Sequence, residues 1–205
     1  FATRGEASRW LAAIRVSLDD DRWVDPVAGK QVFAEYAAQW VRERAGLRPR
    51  TWAFYSWLLA KHVAPTLGAH QVRRITPAIV RTWRHRLLES GVSISVTAKS
   101  YRLLRAILGT AVEDGVIAAN PCRIRGAGSE HADERPVLTI EQVLRLAAGV
   151  PERFEALVLV ATFGSIRWGE AAGLRRQDVD QAGSQIRIRQ VLIERSKGGV
   201  QFGPP

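Results

Sequence analysis

Apolar residues recur every three to four positions over much of the first half of the chain, which is the spacing of amphipathic helices. The pattern predicts five helices, over 5–18, 31–45, 49–64, 76–91 and 96–114. In the second helix the apolar positions share one face: Phe33, Tyr36, Ala37, Trp40 and Val41. The last four helices predict a compact helical bundle, and the first predicts the closing helix of a preceding domain.

Turn residues mark where several of these helices begin and end. Thr76 followed by Pro77 is a start signal, because the hydroxyl can cap the first turn and proline fits there. Gly91 stands where this helix should end, and Gly115 stands where the following helix, over 96–114, should end. Residues 123–136 are polar and contain glycine, so they predict a linker between two domains.

The remaining residues predict a second domain of α+β type. Thr139 and Gln142 have the spacing of a capping box at a helix start. An apolar helix, predicted to be buried, follows Pro151. Alternating apolar and charged residues predict a strand over 184–193, and Lys-Gly-Gly at 197–199 predicts a hairpin turn to a returning strand.

The formal net charge is +10, and the excess lies in the middle of the chain. Residues 28–125 hold sixteen basic and five acidic residues, whereas residues 126–205 hold ten of each. A helical bundle with this charge predicts a polyanionic partner.

The composition argues against several other classes of protein. The single cysteine, Cys122, rules out an internal disulfide framework and favours a reducing, cytoplasmic setting. The four histidines lack the spacing of metal ligands, so neither a metal nor another cofactor is expected. No apolar run reaches the roughly 18 residues that a membrane span requires.

An arginine that follows a turn of small residues is the strongest chemical signal. Arg167 precedes Glu170 by three positions, so the two side chains share one helix face and the carboxylate can hold the guanidinium. A guanidinium in a fixed pose can bind a phosphate through two parallel hydrogen bonds. Gly164 and Gly169 allow neighbouring backbone segments to approach closely. A simple ion pair is the alternative.

Residues 161–180, with Gly173-Leu174 and Asp178-Val179-Asp180 ahead of a strand, resemble the first catalytic box of tyrosine recombinases, the phage-integrase family. Residues 99–122, ending in Asn-Pro-Cys, resemble the actinobacterial integrases of that family. The resemblance implies that Arg167 reaches into a cleft and binds the scissile phosphate there, and that Glu170 supports it. One departure is Ser165, which stands between the usual glycine and the apolar residue before the arginine.

The resemblance implies a mainly α fold, in which a SAM-like core-binding domain precedes the α+β start of a catalytic domain. The implied divisions are the last helix and linker of an arm-binding domain over 1–27, the core-binding domain over 28–122, the interdomain linker over 123–136 and part of the catalytic domain over 137–205.

The resemblance also implies which residues contact double-stranded DNA. In the family, the bundle lies across the major groove and two helix starts make most of the contacts. Mapped here, the first offers Arg48, Arg50, Thr51 and Tyr55, and the second offers Ser95, Thr97, Lys99 and Arg102. Most of these are expected to contact phosphates and to position the protein rather than to read sequence. A solvated basic face is the alternative for each residue.

The implied activity is site-specific recombination that integrates or excises a phage or mobile element. A tyrosine hydroxyl attacks the phosphodiester and forms a 3′-phosphotyrosyl bond, with no need for ATP or a metal. The implied assembly is a homotetramer on attachment-site DNA. An accessory directionality factor and a location at the bacterial nucleoid are further expectations.

The catalytic set is expected to be incomplete in this chain. Tyr36, Tyr55 and Tyr101 all lie in the predicted bundle, so none is expected to be the nucleophile. Lys197, on the predicted hairpin, is a candidate for the family's lysine, with an ordinary turn lysine as the alternative. The nucleophile and the family's His-x-x-Arg box are expected beyond Pro205, so the chain itself should bind DNA without cleaving it.

Two other functions fit the sequence. A DNA-binding regulator could use the helical bundle alone and never possess a nucleophile. A basic helical protein could instead bind an acidic protein partner.

Overall fold

The computed structural model describes residues 2–19, 28–130, 134–194 and 198–205. Contacts divide the chain into two compact units, Phe1–Ala132 and Asp133–Pro205. We call them the helical unit and the second unit. The division falls inside the predicted linker.

The helical unit is built from α-helices that follow the predicted apolar pattern closely. Its helices are α1 (Arg4–Asp19), α2 (Phe33–Glu43), α3 (Pro49–Leu58), α4 (Ala64–Leu67), α5 (Pro77–Glu89) and α6 (Ile94–Glu113). As predicted, Thr76 caps α5: its hydroxyl accepts the backbone N–H of Ile79 at 3.3 Å. Gly91 and Gly115 have φ values of 78° and 67°, which glycine adopts without the steric conflict that a side chain would cause.

The predicted helix over 49–64 is divided in the structure. A π-helical turn, Leu59–Val63, separates α3 from α4. Pro65 follows in the first turn of α4 and has no N–H to donate, so the regular α-helical ladder cannot run through it unbroken.

The core of the helical unit lies among α2, α3, α5 and α6. All five predicted positions of α2 are buried, and they pack with Trp83 of α5 and with Leu104 and Leu108 of α6. Buried indole groups are hydrogen-bonded: the N–H of Trp40 donates to Thr110 Oγ1 at 2.8 Å. The core therefore combines apolar packing with hydrogen bonds from its indoles, whereas Nε2 of His62 and Oγ1 of Thr97 have no partner among the described residues.

Residues 123–130, which we call the strap, lie along α6 and do not form a free linker. The backbone N–H of Ile124 donates to the hydroxyl of Tyr101 at 2.9 Å, and Ala127 is buried in the core of the helical unit. The first eight residues of the predicted linker are thus part of the helical unit.

In its described residues, the second unit combines three α-helices with two short antiparallel hairpins. Its elements are α7 (Ile140–Gly149), α8 (Glu152–Phe163), α9 (Trp168–Gly173), β1 (Val179–Asp180), β2 (Gln185–Ile186), β3 (Val191–Glu194) and β4 (Val200–Gly203). Strand β1 pairs with β2, and β3 pairs with β4. The predicted capping box of α7 is confirmed, because Thr139 Oγ1 accepts the N–H of Gln142 at 3.2 Å and Gln142 Oε1 accepts that of Thr139 at 2.8 Å.

Two predictions for the second unit are wrong. Helix α8 contains no fully buried residue, because the described residues cover it only where α7 and α9 pack against it. The predicted strand over 184–193 is interrupted at 187–190. There the backbone N–H of Arg187 donates to the carbonyl of Asp178 at 2.9 Å, and the side chain of Gln190 donates to the carbonyl of Gly173 at 2.9 Å. These bonds direct residues 187–190 away from a continuous β-ladder.

None of the described helices is long and apolar enough to cross a membrane.

Candidate nucleic-acid interface and phosphate site

Residues from both predicted DNA-contact helices line one groove on the helical unit. Tyr55 of α3 faces Lys99 and Arg102 of α6 across a groove of about 250 Å³. Leu58 and Leu103 contribute to its lining. The groove thus combines an aromatic side chain, two cations and apolar side chains.

The start of α3 extends the basic surface. Arg48 occupies the N-cap position and Arg50 lies in the first turn, and both are exposed. Pro49 at the first helical position has no N–H, which suits the start of a helix. Thr51 and Tyr55 are partly buried, and the Tyr55 ring lies 6.4 Å from that of Trp40. The two arginines are therefore the accessible cations here.

The prediction that Thr97 contacts DNA is wrong, because this residue is 0% exposed. It lies on the inner face of α6, one turn before Tyr101, in the stripe that continues to Leu104 and Leu108. The apolar face of α6 starts earlier than the sequence pattern indicated.

The other three predicted residues of α6 share a single anionic partner, Glu130, at the end of the strap. The hydroxyl of Ser95 donates to Glu130 Oε2, and Lys99 Nζ lies 3.1 Å from the same oxygen. Arg102 NH2 binds Glu130 Oε1, and its NH1 donates to the carbonyl of Gly128 at 2.8 Å. Sequence reasoning missed Glu130, which lies 28 residues from Arg102 in a segment without periodicity.

These contacts lower the pKa of the Glu130 carboxyl from 4.5 to about 2. The hydrogen bond from Ser95 contributes most, followed by those from Arg102 and Lys99, because all of them favour the ionised carboxylate. The anion at this site is therefore held by one hydroxyl and two cations.

In the second unit, Glu170 holds the start of α9 and the side chain of Arg167 together. Glu170 Oε2 accepts the backbone N–H of Arg167 at 2.8 Å, and Oε1 lies 3.3 Å from guanidinium NH1. The predicted arginine–glutamate pairing is confirmed in this geometry. The guanidinium itself was expected in a cleft, and this expectation is wrong: the Arg167 side chain is 88% exposed, whereas that of Glu170 is 18% exposed. The described residues pack around the acid and leave the arginine open to solvent.

The turn before Arg167 is tightly constrained. Ser165 has a φ of 51°, a conformation that residues other than glycine, asparagine and aspartate adopt rarely. Gly164 precedes it, and a Cβ at that position would lie 2.6 Å from the carbonyl oxygen of Val160. The serine noted as a departure from the family pattern thus occupies the strained position of the turn.

Small residues bring α9 close to β3. A Cβ on Gly169 would lie 2.9 Å from the carbonyl oxygen of Leu192, and one on Gly173 would lie 2.9 Å from that of Gln190. The two glycines are four positions apart, so they share one helix face. The predicted close approach at Gly169 is therefore confirmed, and it fixes the helix that follows Arg167.

A buried carboxylate supports this arrangement, and the sequence did not reveal its burial. Asp178 Oδ2 accepts the backbone N–H of Arg175 at 3.3 Å, and Oδ1 lies 3.4 Å from Nε of Arg189. Arg175 in turn binds the side chain of Gln190. The network joins the turn after α9 to the segment between β2 and β3.

The remaining candidates are either structural or not described. Tyr36 donates its hydroxyl to Asp114 Oδ2 at 2.7 Å, and Tyr101 is buried and bonded to the strap. Lys197 lies outside the described residues. A His-x-x-Arg sequence does occur, from His70 to Arg73, but it belongs to the helical unit rather than to the unit that carries Arg167.

Solved structures of integrases in complex with DNA have the same fold. The Tn1549 transposon integrase in complex with circular intermediate DNA matches with a TM-score of 0.73 and 20% sequence identity, over 85% of this chain and 59% of that one. A lambda integrase tetramer bound to a Holliday junction matches with a TM-score of 0.62 and 19% identity, over 88% of this chain and 50% of that one. The fold is that of the tyrosine recombinase integrases.

Comparison with sequence relatives points to the same family. The family described as phage integrase, N-terminal SAM-like domain, matches residues 32–88. A putative prophage phiRv2 integrase of Mycobacterium tuberculosis is 35% identical in an alignment that covers 97% of this chain and 53% of the relative. The integrase of Mycobacterium phage L5 is 33% identical in an alignment that covers 92% of this chain and 52% of the relative. The chain belongs to the tyrosine recombinase, or phage integrase, family, and it spans about half the length of these relatives.

Proposed function

We propose that this chain forms the DNA-holding part and the first catalytic box of a site-specific recombinase that integrates or excises a phage or mobile element. The observation that carries the proposal is the groove in which Tyr55, Lys99 and Arg102 meet, within a chain of the integrase family. The +11 net charge of residues 28–125 supports the same partner, double-stranded DNA.

In this proposal the helical unit lies along the phosphate backbone. Arg48 and Arg50 at the start of α3, with Ser95, Lys99 and Arg102 on α6, contact phosphates, and Tyr55 packs at the groove between them. Thr51 is partly buried and contributes through its backbone position at the start of α3. Such contacts fix the register of the protein on DNA without reading bases.

Arg167 binds the scissile phosphate in the second unit. Glu170 fixes the start of α9 and neutralises part of the guanidinium charge through one oxygen, which leaves the exposed remainder of the side chain to face an incoming phosphate. A donor held at this position stabilises the charge that develops on the phosphate oxygens in the transition state.

None of the three tyrosines is suited to nucleophilic attack. Burial raises the pKa of Tyr36, and its hydroxyl is committed to Asp114. Burial likewise raises the pKa of Tyr101. Tyr55 lies on the groove of the helical unit. The full-length protein supplies the nucleophile, the His-x-x-Arg box and the family's lysine, unless Lys197 is that lysine, and the reaction proceeds through a 3′-phosphotyrosyl bond without a metal or cofactor.

The full-length protein acts as a homotetramer on attachment-site DNA in the bacterial cytoplasm, at the nucleoid. Support for a tetramer comes from the lambda integrase with the same fold, which is described as a tetramer on a Holliday junction. An accessory directionality factor would bias integration against excision.

Fluorescence anisotropy with labelled duplex DNA at increasing salt tests the DNA-binding proposal. The logarithm of the affinity should fall with the logarithm of salt concentration with a slope of about −0.9 for each phosphate neutralised. A nearly flat response would favour an acidic protein partner instead. Salt-dependent binding by a full-length protein that forms no covalent complex with a suicide substrate would favour the DNA-binding regulator.

A further inference from the structure

Three of the predicted DNA-contact residues hold an anion that belongs to the chain itself. Ser95, Lys99 and Arg102 converge on the two carboxylate oxygens of Glu130, through a hydroxyl, an ammonium and a guanidinium. These are the donors that also recognise the non-bridging oxygens of a phosphodiester. Both groups carry one negative charge and present two oxygens to the donors.

We propose that Ser95, Lys99 and Arg102 form the binding site for one phosphate of the DNA backbone, and that Glu130 fills this site until DNA displaces it. The inference rests on the proposed DNA-binding function and names one contact and its internal competitor. Glu130 then acts as a stand-in for the phosphate in the DNA-free protein.

The placement of the strap suits such an exchange. Its inner end is fixed, because Ile124 binds the hydroxyl of Tyr101 and Ala127 is buried. Glu130, at the outer end, keeps 26% of its side chain exposed, and both cations are partly exposed. The carboxylate can therefore leave without unpacking the core of the helical unit.

The charges at the site also favour DNA over the internal carboxylate. Lys99 and Arg102 carry two positive charges against the single charge of Glu130, so the occupied site still attracts a polyanion. Both cations line the groove shared with Tyr55, which places the exchanged phosphate at the centre of the proposed interface. DNA gains from several further phosphate contacts along this surface, whereas Glu130 has only this one.

Duplex DNA binding by the 205-residue chain and by two charge-matched variants tests the exchange. Glu130→Gln removes the competing charge, and Glu134→Gln removes the same charge from an exposed position four residues further on. At equal salt, Glu130→Gln should bind the duplex at least about threefold more tightly than Glu134→Gln, because an ion-pair network must no longer be broken. In a Lys99→Ala, Arg102→Ala background, Glu130→Gln should give no such gain.

Hydrogen–deuterium exchange provides a second readout. Duplex DNA should speed exchange at the backbone amide of Ser129 in the unsubstituted chain, because its bond to the carbonyl of Gly126 lies in the outer part of the strap, and Glu130→Gln should speed it without DNA. Circular dichroism melting controls for folding of each variant.

Two results would overturn the exchange. Glu130→Gln could match or weaken the binding of Glu134→Gln, in which case Glu130 is a structural tie that orients the cations. The gain in DNA affinity from Glu130→Gln could also persist when Lys99 and Arg102 are alanine, which would mean that Glu130 does not compete with DNA for these two cations. Loss of salt-dependent binding in the unsubstituted chain is a different result, and it would refute the proposed function itself.

Discussion

The indole N–H of Trp83 donates a hydrogen bond of 2.8 Å to the backbone carbonyl of His62. Trp83 is 0% exposed, and His62 lies in the π-helical turn Leu59–Val63. This bond ties α5 to the turn that separates α3 from α4, so the position of α3 depends on it.

Trp83→Phe should therefore lower the free energy of unfolding by about 2–3 kcal/mol, because it leaves a cavity and removes a buried hydrogen bond. Urea unfolding followed by circular dichroism measures the change. Trp52→Phe is the matched control, since Trp52 is 47% exposed and its replacement should change the free energy by less than about 0.5 kcal/mol. Equal effects of the two substitutions would show that the buried bond is unimportant.

Gly173→Ala should destabilise the second unit by about 1–3 kcal/mol, because the added methyl group meets the backbone of β3 rather than a flexible side chain. Faster hydrogen–deuterium exchange in peptides that cover β3 would report this. Gly149→Ala, at the end of α7, adds the same group where nothing lies within 4 Å, and it should leave exchange unchanged. Unchanged exchange in Gly173→Ala would contradict the close packing of α9 on β3.

The carboxyl of Glu130 should titrate near pH 2, well below its ordinary value of 4.5. The depressed pKa means that the strap contact is at full strength above pH 4.5 and weakens as the pH falls towards 2. Side-chain carboxyl shifts measured by NMR against pH give the midpoint. In the double variant Lys99→Ala, Arg102→Ala the midpoint should move back towards 4.5. An unchanged midpoint would mean that these two cations do not lower the pKa of the Glu130 carboxyl.

Cys122 should resist alkylation at neutral pH. Burial raises the pKa of its thiol to about 12, so the reactive thiolate is scarce and the sulfur is covered. Mass spectrometry after treatment with iodoacetamide should show an unmodified native chain and a fully modified chain in denaturant. Rapid modification of the native chain would mean that the segment after α6, which contains Cys122, opens readily.

Arg167→Ala in the full-length protein should keep DNA affinity near that of the unsubstituted protein and reduce strand cleavage about 10²–10³-fold, as expected for loss of one transition-state donor. A suicide-substrate assay for the covalent complex measures cleavage. Arg145→Ala is the control, because Arg145 is also an exposed arginine of the second unit, 3.9 Å from Glu141. Normal covalent complex in Arg167→Ala would remove Arg167 from the catalytic set.

Local patterns predicted the helical elements well. The apolar face of α2, the Thr76 cap and the Thr139–Gln142 capping box each depend on residues a few positions apart, so the sequence alone specifies them. The pairing of Arg167 with Glu170 is local in the same way.

Features that depend on distant partners were not predictable. The burial of Thr97 follows from how far neighbouring elements cover α6, and the role of Glu130 follows from a contact across 28 to 35 residues. The break in the predicted strand depends on bonds from Arg187 and Gln190 to residues before it. Periodicity carries no information about such partners.

The attachment of the strap to α6 also sets how many residues after the helical unit are free to extend. While Glu130 and Gly128 are bound to α6, residues 128–130 are held on its surface. Once detached, these three residues could extend by roughly 10 Å. Binding of a single backbone phosphate would thereby lengthen the stretch of chain that can extend between the helical unit and the residues after the strap.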